Sequence, residues 1–125
     1  MLMSEKKIFE TNVVEIGEEA REFKEIKMLI LFGDQAPDAL RPSCYLINVE
    51  SVQGKIEPDM FLKIDTNKYR ITAVGQEVQS NLANLGHIAI SFTGEKQAKL
   101  PGTLYVEKNE YPVLAVNSKI MIEKE

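Results

Sequence analysis

His87 is the single histidine of this sequence and Cys44 the single cysteine. An imidazole is the one side chain that titrates near neutral pH without a large shift, so His87 can act as a nucleophile or a proton carrier. It can equally be a surface or structural histidine bonded to a backbone carbonyl. Cys44 sits between Ser43 and Tyr45, with no neighbour that would lower a thiol pKa, and reads as a small buried hydrophobe. A Cys–His nucleophilic pair requires the two to meet in space, which spacing alone does not decide. One Cys and one His leave at least two ligands of any zinc site to carboxylates, so no metal centre is expected. Val74-Gly75 before a helix-like stretch has the outline of an anion site at a helix N-terminus. However, Gly75-Gln76-Glu77 lacks the spaced glycines of the phosphate-binding fingerprints and reads as a turn. Glu18-Glu19 and the Glu107/Glu110 pair read as solvated faces.

These residues must be positioned by a small fold. The chain has 125 residues, with 15 Lys plus Arg against 19 Asp plus Glu, for a net charge of −4. This is the size of one domain, residues 1–125, and 44% hydrophobic content is enough for a core. The mild acidity argues against a nucleic-acid face. The longest apolar run, Met28 to Phe32, is five residues, far short of the roughly 20 of a membrane helix. The N-terminal residues lack the apolar stretch of a signal peptide, so a cytoplasmic location with a free thiol is expected.

Short alternating or apolar runs recur along the chain, separated by turn residues. Strands are expected over residues 8–16, 26–32, 43–49, 60–64, 69–74, 87–93, 103–106, 113–116 and 119–122. In the run around Cys44, alternation puts Cys44, Leu46 and Asn48 on one face and Tyr45, Ile47 and Val49 on the other. After His87, the residues Ile88, Ile90 and Phe92 face the core. The best helix runs from Gln76 to Leu85, with Val78, Leu82 and Leu85 on one face and Gly86 as its C′ glycine. Residues 17–25 form a helical turn or two, or a solvated loop. The expected fold class is all-β: a mainly antiparallel small barrel or sandwich with one or two short helices.

The stretches Thr72-Ala73-Val74-Gly75, Asn81-Leu82, Leu85-Gly86-His87 and Pro101-Gly102-Thr103 form a recognisable set. With them the chain resembles the glucitol/sorbitol-specific IIA component of the bacterial phosphoenolpyruvate-dependent sugar phosphotransferase system (PTS). Weaker similarity includes Glu15-Ile16-Gly17, Ala36-Pro37, Cys44, Gly54 and Pro58, so that residues 8–122 are covered. The resemblance implies a phosphocarrier without a cofactor. It would take a phosphoryl group from the phosphohistidine of HPr and pass it to the IIB part of a IIB/IIC permease, its only link to the membrane. Pairing of two copies is compatible with it.

The sequence departs from the family at one place. The family's phosphorylated histidine lies a few residues after the cysteine matching Cys44, and that slot is filled here by Ile47. Isoleucine cannot carry phosphate, so His87, which matches a second family histidine, is the remaining acceptor. Two readings follow: a relay that runs through His87, or a degenerate, non-catalytic IIA-like interaction module. A small-ligand module using a barrel mouth is a third.

Overall fold

The structure is a computed structural model and describes residues 6–125. Eight strands close into a barrel: β1 (Lys6–Ile16), β2 (Met28–Gly33), β3 (Tyr45–Ile47), β4 (Phe61–Ile64), β5 (Asn67–Val74), β6 (Ile88–Ser91), β7 (Thr103–Val106) and β8 (Lys119–Lys124). Around the barrel the order is β1-β3-β2-β6-β7-β5-β4-β8, with β8 returning to β1. The pairs are antiparallel except β2/β3 and β6/β7, which are parallel. One α-helix, α1 (Val78–Leu85), and two 3₁₀ segments, Ala20–Ile26 and Arg41–Ser43, complete the described elements. The all-β expectation holds, and closure pairs both edges of every strand.

Period-2 alternation fills the interior. Leu29 and Leu31 of β2, Tyr45 and Ile47 of β3, and Ile88 and Ile90 of β6 all lie in the main core. The outer side of β2 and β3 carries a second, smaller apolar cluster: Phe32, Ala36, Cys44 and Leu46, with Ile30 against it. The run from Met28 to Phe32 is therefore continuously apolar because both of its faces are covered.

Five expectations need correction. Residues 113–116 are not a strand. Both sides of β1, where such a strand would add, are taken by β8 and β3, and the Ala115 N–H goes instead to Ser118 Oγ at 2.9 Å. Ile26 belongs to the 3₁₀ segment rather than to β2, which starts at Met28. β3 is trimmed to Tyr45–Ile47, and the loop between β4 and β5 to Asp65-Thr66. On α1, Val78 and Leu82 are buried, whereas Leu85, in the last turn, is 47% exposed.

Candidate functional site

His87 is placed by the end of α1. Gly86 terminates the helix with φ +67°, and its N–H returns to the Leu82 carbonyl at 3.0 Å. The His87 N–H returns to the Asn81 carbonyl at 3.2 Å. Gly86 lies directly on Gly33, the last residue of β2. A Cβ at Gly86 would stand 3.0 Å from Gly33 N and 3.1 Å from its Cα. A Cβ at Gly33 would stand 2.5 Å from Val49 Cγ2 and 2.6 Å from the Leu85 carbonyl oxygen. Two glycines thus let the helix end ride over the strand end. The chain then enters β6 with Ile88 opposite Leu31, one residue after His87.

The ring is held in two ways. Nδ1 lies 3.1 Å from the Leu31 carbonyl oxygen, and the imidazole stacks on Phe32 with centroids 4.2 Å apart and planes 20° apart. A carbonyl only accepts, so Nδ1 carries the proton and Nε2 keeps its lone pair. Among the described residues no group bonds to Nε2. Phe32 is itself anchored in the outer cluster with Ala36, Cys44 and Leu46. The half-buried ring therefore has a fixed plane, a fixed tautomer and a nitrogen nucleophile without a protein partner. Exposed Val49 and Leu85 border the Gly33–Gly86 contact.

The remaining sequence candidates are not brought to this ring. Ile47 is fully buried in the barrel interior, paired in register with Val13 and Gly33. Its Cδ1 would lie 3.5 Å from a Cβ at Gly86, so its slot adjoins the backbone beside His87. The two side chains nevertheless divide between the sheet's faces, Ile47 in the inner cluster and the imidazole on Phe32 of the outer one. Cys44 is buried, its Sγ donates to the Leu40 carbonyl at 3.2 Å, and burial pushes the thiol up. It forms no pair with His87 and has the opposite of an activated thiol's environment. Gly75 is no anion cradle, because its N–H donates to the Thr103 carbonyl at 2.9 Å. A Cβ at Gly75 would collide with the Pro101 carbonyl. Glu107 accepts the Arg70 N–H at 2.6 Å, while Glu18, Glu19 and Glu110 are exposed. Among the described residues no three His, Cys, Asp or Glu side chains are grouped to hold a metal ion. Sequence reasoning missed Phe32 and the Gly33–Gly86 contact. The one available sign was an aromatic residue at the end of an apolar run followed directly by glycine.

The motif residues form one connected unit. The Pro101 carbonyl crowds Gly75 and accepts the Glu77 N–H at 2.8 Å just before α1. The Gly102 carbonyl accepts from Ala89 on β6, and Val74 pairs with Leu104 on β7. Asn81 both closes the helix end and lies against Gly102. The four motif stretches thus bracket α1, with Gly75 and Pro101 at its start and Asn81 and Gly86 at its end, where His87 emerges.

Comparison with known proteins gives a consistent result. The family described as PTS system glucitol/sorbitol-specific IIA component matches residues 8–121. PTS system glucitol/sorbitol-specific EIIA components of Shigella flexneri and of Escherichia coli strain K12 are each 32% identical over 99 residues, 79% of this chain and 80% of theirs. A crystal structure of a PTS system IIA component from Enterococcus faecalis V583 aligns with a TM-score of 0.78 at 27% identity, covering 90% of this chain and 97% of that one. The chain belongs to the family of glucitol/sorbitol-specific IIA components of the sugar phosphotransferase system.

Proposed function

We propose that this protein is a phosphocarrier whose acceptor is Nε2 of His87, loaded from the phosphohistidine of HPr and unloaded onto a IIB domain. The names of the glucitol/sorbitol-specific relatives support a hexitol as the sugar class served. The observation that carries the reading is the Nδ1 hydrogen bond to the Leu31 carbonyl. A phosphoimidazole donor is attacked in line by a nitrogen lone pair. The donor's P–N bond breaks as the new one forms, and the donor imidazole leaves with the bonding pair. The acceptor nitrogen must therefore carry a free lone pair, and the Nδ1 contact with the Leu31 carbonyl supports a neutral ring whose lone pair is on Nε2. Val49 and Leu85 supply the apolar border that a transient partner would cover.

The test is intact-mass measurement of the chain after incubation with enzyme I, HPr and phosphoenolpyruvate, under neutral conditions that preserve phosphoramidates. One added phosphoryl group is expected, absent in His87→Ala, and its nitrogen is assigned by nuclear magnetic resonance (NMR). A single observation favours a second reading: the family's acceptor slot holds the buried Ile47. On that reading the chain binds HPr or a IIB domain without accepting phosphate. No mass gain, with binding equal in the native chain and His87→Ala, would establish it.

A further inference from the structure

β1 carries Phe9, Thr11 and Val13 on its inner face. Phe9 and Val13 belong to the main core, and Thr11 stands in register with the core residue Ile120 of β8. A hydroxyl here interrupts an otherwise apolar row. Thr11 is 2% exposed, and a buried hydroxyl is costly unless it finds an acceptor. Its Oγ1 donates to the Asn48 carbonyl at 2.8 Å.

Asn48 is where the chain leaves the barrel wall. β3 ends at Ile47, paired with Val13 on one side and Gly33 on the other, and residues 48–50 are exposed. The next residue, Val49, covers Gly33, which is thereby enclosed between the Val49 side chain and the Leu85 carbonyl at the end of α1. The Thr11 hydroxyl therefore holds the backbone one residue before a wall of the His87 rim. A second tie to β1, from the Gln53 N–H to the Ile8 carbonyl at 2.7 Å, lies further along the same loop. The Leu31 carbonyl and the Phe32 ring hold the imidazole from β2 itself.

We propose that Thr11 is a positioning residue for partner docking: its hydroxyl fixes Asn48, and through it Val49, on the rim over which the phosphohistidine donor settles. The inference rests on the phosphocarrier reading. A side chain of nearly the same shape, valine, would fill the core position equally well, so the hydroxyl serves the loop rather than the barrel. Loss of the bond acts on docking and leaves the chemical step at His87 intact.

The test compares the native chain, Thr11→Val and Thr11→Ser. Initial phosphorylation rates are measured against the concentration of phospho-HPr, and melting temperatures by calorimetry. In Thr11→Val the half-saturating concentration should rise about three- to tenfold, with the rate at saturation within about twofold of native. Thr11→Ser keeps the hydroxyl and should stay within about twofold of native on both counts. Stability should run the other way: Thr11→Val melts within about 5 °C of native, and Thr11→Ser, short of a buried methyl group, melts lower than Thr11→Val. A purely structural role would make docking follow stability. Unchanged half-saturation in Thr11→Val, an equal rise in Thr11→Ser, or a loss confined to the rate at saturation would overturn the proposal. If no chain gains phosphate, the phosphocarrier reading fails by itself, and titration with unphosphorylated HPr decides the role of Thr11. A Kd about three- to tenfold weaker for Thr11→Val alone supports it, and equal Kd values or no binding by any chain overturn it.

Discussion

Placing a histidine back in the family's acceptor slot is the most informative single change, and the structure predicts that it will not restore a working site. Ile47 has no solvent-exposed surface, and its neighbours are Val13, Gly33 and the backbone at Gly86. Ile47→His removes an apolar side chain worth about 1.5–3 kcal/mol of burial. It also leaves at least one ring nitrogen without a partner inside the barrel, at a further cost of about 1–3 kcal/mol. The sum, about 2.5–6 kcal/mol, is a large part of the 5–15 kcal/mol that typically holds a domain together. For a chain of this size, at about 4 °C per kcal/mol, it corresponds to a melting-temperature drop of roughly 10–24 °C.

The loss should depend on pH. Burial disfavours the imidazolium, so the folded-state pKa of the new ring lies below its unfolded value of about 6.5. The unfolded chain then binds the extra proton. The variant is therefore at its most stable above that value and loses up to about 1.4 kcal/mol per pH unit below it. Calorimetry of native chain and variant at several pH values, paired with the phosphorylation assay, checks this. A variant as stable as the native chain, pH-independent and newly phosphorylated at position 47, would refute the reasoning, because the slot would then open to solvent.

Three further outcomes are expected. Phe32→Leu should leave the fold intact but slow phosphorylation about two- to tenfold in a single-turnover assay, since a stack worth about 0.5–1.5 kcal/mol no longer fixes the ring. Gly75→Ala should cost about 3 kcal/mol by chemical denaturation, because its methyl group meets the Pro101 carbonyl, which is backbone and cannot swing aside. Cys44 should resist alkylation at mildly alkaline pH in the folded protein and react at once in denaturant. Its thiol is buried, bonded to the Leu40 carbonyl and shifted toward the protonated form.

What the sequence makes legible here is what depends on neighbours in the chain. Alternation alone separates Tyr45 and Ile47 from Cys44 and Leu46, which the structure puts inside and outside, and sends Ile88, Ile90 and Phe92 to the core. Gly86 reads as a helix stop because a positive φ favours glycine whatever the fold around it. Residues 113–116 misled because alternation describes a strand's faces but not whether the barrel has an edge to offer it. The candidate site at His87 was less visible still. The Leu31 carbonyl that sets the imidazole's tautomer belongs to the backbone and carries no sequence mark.

The position of the imidazole also bears on how His87 would serve as acceptor on the proposed relay. A phosphocarrier needs an acceptor that is basic enough to attack and yet gives the group up readily. A carboxylate on Nδ1 would stabilise an imidazolium and bind the ring's proton tightly, whereas the neutral Leu31 carbonyl fixes the tautomer without adding charge. The stack on Phe32 restrains the ring plane without occupying either nitrogen. Neither device draws on residue 47. Both depend on where β2 ends and where α1 stops, and the stop of α1 is held by Asn81, Gly86 and Gly33. Isoleucine rather than histidine at position 47 therefore leaves the geometry at His87 intact. The relay's chemistry then rests on whether a partner's phosphohistidine can reach Nε2 across the rim formed by Val49 and Leu85.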